Sequence, residues 1–312
     1  MSVYVEFSSF VQSIREYFYK TGAVEVFTDI LMNYPNLDPH VYPVELFVFN
    51  EKREKQKKYL HTSPEYRMKE ILAKEKKDIF QLTKVFRNYE GSIKHKIEFI
   101  MLEWYRVGYN LLNLIDDTHL LFINVVSTVE KSPFFTFKGK RFDMREYEII
   151  TVEQAFRDFV QVDINSIDSM NRFLKEREPN FVEKEDWEEL FFHIYAFYIE
   201  KNLGKERLTF ICDYPPQLTA LAKIEGGYGK RFEAYIGGIE LVNGYYEETD
   251  PQIIEERLQK DAHKKQAELG KPFEVDPSFL EAVKKLPTCS GASLGVERLF
   301  MVIKNMENIS FL

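Results

Sequence analysis

The stretch Phe232-Glu233-Ala234-Tyr235-Ile236-Gly237-Gly238-Ile239-Glu240 sets two glycines between alternating flanks. That pattern predicts an antiparallel hairpin over 231–243 closed by a two-residue turn. Pairing outward from the turn sets Ile236 opposite Ile239, Tyr235 opposite Glu240, and Ala234 opposite Leu241. Period two puts Glu233 on the face of Tyr235, so Glu233 and Glu240 become diagonal neighbours about 7–8 Å apart at the backbone. Two carboxylates at that spacing either stay solvated or share a cation. Mg²⁺, held by one or two carboxylates together with nucleotide phosphates, meets the second case. Glu247, shortly after Asn243-Gly244, can join the same cavity.

Other alternating runs extend the sheet. Asp78 to Arg87 and Lys96 to Arg106 read as strands around a loop at 88–95, Val24 and Val26 as a short strand, and Leu208 to Cys212 as another. Helices are expected from Ser8 or Ser9 to about Thr21-Gly22, with Phe10, Ile14, Tyr17 and Phe18 on one face. A further helix runs from Ser63, as cap, and Pro64, at the first helical position, to about Ala73. Others lie near 110–131, 152–160, 166–177, 185–202, 251–268 and 277–285, and from Glu297. Strands gather at both ends of this order and helices fill the middle. The reading is an α+β fold: one antiparallel-sheet domain over 1–312, flanked by helices, with a mostly helical insertion around 110–205. Residues 51–58 form a basic run, either a solvated loop or a docking patch for an acidic partner.

Three further constellations carry chemistry. On the 96–106 strand, His95, Ile97, Phe99, Met101, Glu103 and Tyr105 share one face, while Ile100, Leu102 and Trp104 share the other and look like core. The first face is an exposed sheet surface, or a floor on which a base stacks at Phe99 while Glu103 and Tyr105 hold a cation. Arg87 ends the preceding strand and is a surface ion pair or a fork for phosphate or carboxylate. Gly291-Ala292-Ser293-Leu294-Gly295-Val296-Glu297-Arg298 is neither a Walker loop nor a dinucleotide fingerprint. It is a small-residue packing contact, or a strand that a ligand approaches closely, with an anion at Arg298 opposing the helix dipole.

The whole chain has 312 residues and is 45% hydrophobic, enough for a real core. Its net charge of −8 argues mildly against bulk attraction to a polyanion such as tRNA. The two cysteines, Cys212 and Cys289, form no spaced motif, so a reducing compartment is the default. No signal peptide and no membrane span are read, which points to the cytoplasm.

At these residues the chain resembles the catalytic domain of class II aminoacyl-tRNA synthetases of the lysyl type. It is most similar to their free-standing paralogues, the elongation factor P (R)-β-lysine ligase family. Thr62-Ser63-Pro64-Glu65-Tyr66, Phe86-Arg87-Asn88, Met101-Leu102-Glu103-Trp104-Tyr105, Gly238-Ile239-Glu240-Leu241 with Asn243-Gly244, and Cys289-Ser290-Gly291 with Leu294-Gly295-Val296 carry the likeness in order. The resemblance implies ATP-dependent activation of lysine or β-lysine as an adenylate and transfer to a lysine side chain of elongation factor P. It implies that Arg87 binds the α-phosphate and the substrate carboxylate. Asn88 belongs to the ATP site, and His95 meets the outer phosphates. Phe99 stacks on adenine, with Arg298 on the other side near the γ-phosphate. Glu233 and Glu240 hold Mg²⁺, and Ser63, Glu65, Glu103, Tyr105, Asn243, Glu247 and Ser293 line the amino-acid pocket. A homodimer through motif 1 is implied as well.

The first predicted helix corresponds to motif 1 and leaves no room for the N-terminal OB-fold of the tRNA-charging enzymes. A protein acceptor is therefore expected rather than tRNA. The chain departs from the family at Asp29 and Ile97, where proline is usual, and at Tyr89, usually glutamate. At Ser293 the tRNA-charging enzymes have glycine and the elongation-factor modifiers alanine. Two other readings compete: a truncated synthetase-like enzyme with tRNA or another amine as acceptor, and a non-catalytic synthetase-like regulator.

Overall fold

The computed structural model describes residues 2–91 and 96–309. The Gly237-Gly238 turn forms, with φ of 59° and 71°, values that favour glycine. It joins Tyr228–Ile236 to Ile239–Tyr246. Ile236 pairs with Ile239 and Tyr235 with Glu240, but Ala234 pairs with Val242 rather than Leu241. A bulge adds one residue to the second strand there. Leu241 and Val242 both enter the core as a result, and Asn243 comes opposite Glu233.

This hairpin lies within a nine-stranded sheet. The order across it is Val24–Glu25, Ile79–Phe86, Glu98–Val107, Cys289–Gly295, Ile239–Tyr246, Tyr228–Ile236, Leu208–Tyr214 and Tyr147–Thr151, with Ile224–Glu225 beside Tyr228–Ile236. Pairing is antiparallel except at the two outer pairs. One face carries the main core, where Phe10, Phe18, Phe80, Trp104, Phe122, Phe232 and Phe300 are buried. Helices Val3–Lys20, Leu111–Glu130 and Val296–Ile303 cover that face. Asp117 pins the second of these to the sheet: it accepts from Tyr17 Oη (2.7 Å), Trp104 Nε1 (3.1 Å) and Arg106 Nε (2.9 Å). With its charge met by Arg106 and its lone pairs filled, the buried carboxylate is compensated.

Several expectations are corrected. The first helix begins at Val3, because Val3 and Phe7 continue the apolar stripe of Phe10, Ile14 and Phe18 and nothing between them breaks it. The helix after Pro64 starts at Glu65 and has no side-chain cap; the Ser63 hydroxyl accepts from Asn36 Nδ2 at 3.0 Å instead. The basic run is a loop only to Glu54. Lys55–Leu60 is a strand paired with Val44–Phe49, where Lys57 meets Glu45 at 3.2 Å and Lys55 lies 3.8 Å over the Phe47 ring. Helix Leu111–Glu130 buries Leu114, Ile115, Leu121, Phe122, Val125 and Val126 in the main core, while a second apolar cluster gathers later side chains such as Val152, Phe156, Leu174, Phe191, Ile199 and Leu203.

Candidate active site

The register places two rows of side chains on the sheet face opposite the main core. One runs Glu103, Ser293, Asn243, Glu233; the next runs Tyr105, Gly291, Tyr245, Arg231. Gly291 is required there. A Cβ on it would stand 2.3 Å from Tyr105 Cε1 and 3.0 Å from Glu247 Oε1, so only a bare backbone lets the phenol ring and the carboxylate close over the strand. Helix Glu65–Glu75 adds Glu65 from the side, and the loop around Asp38–Val41 and helix Trp187–Ile194 complete a cavity of about 420 Å³.

That cavity brings together Ser63, Glu65, Arg87, Glu103, Tyr105, Asn243, Glu247 and Ser293 from the residues named by sequence. Its floor is acidic and buried. Glu103 accepts from Tyr105 Oη at 2.7 Å. Burial, reinforced by the negative charge of Glu65, pushes its carboxyl well above the usual range. Glu247 is pushed up to about 7 by burial, against the pull of Lys69. Lys69 reaches both Glu65 (2.6 Å) and Glu247 (2.7 Å). Burial opposes its charge, but the two acids hold its pKa above the ordinary lysine value.

A second set of residues lies outside the cavity lining: Asn88, Phe99, Glu233, Glu240 and Arg298. The Arg87 guanidinium spans the two sets. It borders the cavity, lies 5.3 Å from the Phe99 ring centroid, and donates from Nε to Thr62 O at 3.3 Å. Asn88 is paired through its backbone to Tyr42, and its side chain accepts from the Tyr89 N–H. Arg298 donates to the Glu240 carbonyl at 2.8 Å and lies 3.8 Å from its carboxylate. Glu240 is pushed up to about 7 by burial and by Glu233, with Arg298 and Arg231 opposing. Glu233 is more heavily engaged: Arg231 pairs with it, and Tyr235 Oη (2.6 Å) and Tyr195 Oη (3.2 Å) donate to it. His95 lies outside the described residues.

Sequence reasoning missed Lys69, Arg231, Tyr245 and Asp38. Arg231 donates to Asn243 Oδ1 at 3.1 Å and stacks 4.4 Å from the Tyr214 ring centroid. Asp38 borders the cavity and is pushed up to about 6 by burial and Glu65, against Lys265 and Arg87. The period-two signal that selects Glu233 also selects Arg231 two positions earlier. Asp38 lies in a loop with no periodic signal.

Comparison with known proteins identifies the family. The family model for tRNA synthetases class II (D, K and N) matches residues 3–311. A protein from Aquifex aeolicus (strain VF5) named elongation factor P--(R)-beta-lysine ligase homolog is 42% identical over 96% of this chain and 94% of its own length. Elongation factor P--(R)-beta-lysine ligases from Avibacterium paragallinarum and Pectobacterium atrosepticum are 34% and 32% identical. These cover 96% and 97% of this chain, and 90% and 91% of their own lengths. The chain therefore belongs to the class II tRNA synthetase family of the D, K and N type.

Proposed function

We propose that this enzyme activates lysine or β-lysine with ATP and transfers the acyl group to a lysine side chain of elongation factor P. The observation that carries the reading is the buried floor of Glu65, Glu103 and Glu247. These three carboxyl groups outnumber the single ammonium of Lys69 among them, and Arg87 stands between that floor and Phe99. A cationic side chain relieves the floor, and its carboxylate then points toward the arginine.

In the first step a carboxylate oxygen bonds to the α-phosphorus and pyrophosphate leaves. In the second an acceptor amine bonds to the carbonyl carbon, releasing AMP and a proton. Both steps need alignment and charge neutralisation rather than a covalent enzyme intermediate. Arg87 would orient the substrate carboxylate and the α-phosphate, while Asn88, His95, Phe99 and Arg298 would hold the rest of the nucleotide. Ser63, Tyr105, Asn243 and Ser293 would shape the amino-acid site.

The donor chemistry at Glu240 fits Mg²⁺. A carboxylate raised by burial and by its neighbour Glu233 is relieved by a cation, and Glu233 would supply the second ligand. Held there with the phosphates, the ion would neutralise charge on the leaving pyrophosphate.

The homodimer is proposed at the outer strand Val24–Glu25, whose surroundings leave Tyr19, Val24, Phe27, Ile30 and Leu31 exposed. No helix among the described residues is long and apolar enough to cross a membrane, and Cys212 and Cys289 are buried free thiols. We place the enzyme in the cytoplasm, where thiols stay reduced.

Mass spectrometry of elongation factor P, incubated with the enzyme, ATP and each lysine isomer, tests the reading. The expected product carries one added lysyl or β-lysyl group. Pyrophosphate exchange without an adduct would point to another acceptor, and neither signal would point to a non-catalytic protein.

A further inference from the structure

Lys69 has no part in the roles assigned above. It projects from helix Glu65–Glu75, which is packed against Pro277–Val283 through the stacked rings of Tyr66 and Phe279, 4.0 Å apart. Only 1% of its side chain is exposed. Its ammonium donates to Glu65 Oε1 at 2.6 Å and to Glu247 Oε2 at 2.7 Å, and lies 5.8 Å from the Tyr105 ring centroid. Glu103 faces the same space from Glu98–Val107, and the Cys289 thiol from Cys289–Gly295. Among the described residues the floor thus has three carboxylates and one resident cation, and the chemistry Lys69 presents there is that of a lysine side chain.

We propose that Lys69 is a positioning residue of the amino-acid site: it takes one oxygen from each of Glu65 and Glu247, and reserves Glu103 with the two remaining oxygens for one substrate ammonium. This deepens the function proposed above and rests on it. Without the resident cation, one more of the crowded carboxyls relieves the repulsion by keeping its proton. A protonated carboxyl is a poor partner for the substrate amine, and the geometry around Glu103 loosens.

Lys69→Met tests the assignment. In pyrophosphate exchange the KM for the amino acid should rise at least about 30-fold, the scale for losing one member of a buried charge pair. The KM for ATP should stay within about twofold, because it reads a different set of contacts. The acid limb of the kcat/KM profile should move to higher pH. Nuclear magnetic resonance of δ-¹³C-glutamate supplies a readout free of the reaction: one more buried carboxyl should keep its proton at a pH where the wild type has lost it. That signal stands even if wild type activates no lysine isomer, an outcome that would sink the proposed function alone. Should Lys69→Met fail to fold, Lys69→Met with Glu247→Gln removes the unmatched charge. The pair should fold, keep the raised amino-acid KM, and return the acid limb toward the wild-type position. An unchanged amino-acid KM and acid limb, or equal rises in both KM values, would overturn the assignment and leave Lys69 a packing residue.

Discussion

Glu103→Gln probes the floor most directly, because it deletes a charge while keeping shape. Glu103 is 3% exposed and opposes Ser293 across the sheet. Among the described residues its side chain has one hydrogen bond, from Tyr105 Oη, which survives if the glutamine carbonyl takes the same place. What disappears is attraction for an ammonium in a buried site. Truncating one partner of such a pair costs about 2–5 kcal/mol. Glu65 and Glu247 remain, and the amide still accepts a hydrogen bond, so the lower part of that range applies. About 2–3 kcal/mol corresponds to a rise of roughly 30–150-fold in the KM for lysine or β-lysine. Pyrophosphate exchange, titrated separately in amino acid and ATP, measures both constants, and the ATP constant should barely move. The free enzyme should respond oppositely. The Glu103 carboxyl is raised by burial and Glu65, so the folded state binds a proton that the unfolded state releases. Its contribution is intact below the ordinary glutamate value of 4.5 and is lost as pH climbs toward the raised one. Relative to wild type, ligand-free Glu103→Gln should therefore gain stability in denaturant unfolding as pH increases above that value. Equal rises in the two KM values, or a stability difference independent of pH, would refute the reasoning.

Glu240→Gln should abolish adenylate formation with the fold intact by circular dichroism, since a ligand that balances phosphate charge contributes several kcal/mol; near-normal pyrophosphate exchange would remove Glu240 from the metal site. Ser293 borders the cavity between Glu103 and Asn243 in the sheet register, and a methylene-sized obstruction is worth about 1–3 kcal/mol, or ~10–200-fold in specificity. Wild type should activate β-lysine better than α-lysine and Ser293→Gly should narrow the gap; a wild-type preference for α-lysine would end the steric-filter idea. The Val24–Glu25 edge should carry a dimer, so Phe27→Asp, which replaces a ring that is 78% exposed, should halve the mass seen by light scattering at micromolar concentration. A monomeric wild type would refute that interface.

What was legible in the sequence follows from how far each signal reaches along the chain. Glu103 and Tyr105 were assigned to one face, and Trp104 and Leu102 to the core, because strand alternation is decided within a few residues. The structure agrees at each of these positions. The hairpin was legible to the second pair and failed at the third. No local pattern distinguishes Leu241 and Val242 as two consecutive core residues until the opposing core is in place. The core that helix 111–130 joins is hidden for a related reason: its apolar stripe fits either cluster, and only packing against Phe10 and Trp104 assigns it to the main core. Asp38 left no periodic trace, since loops position side chains by tertiary contact. Lys69 is the instructive intermediate case. It falls on the stripe of Tyr66, Lys69 and Ala73, at spacings of three and four, which buries one side of the helix. A lysine in such a stripe requires buried acids. One, Glu65, stands four residues earlier and was visible; the other, Glu247, lies 178 residues away. The ion pair with Glu65 alone is indistinguishable in sequence from an exposed helix pair worth a few tenths of a kcal/mol. Burial against a strand from the far end of the chain is what turns the same two residues into the floor of a site.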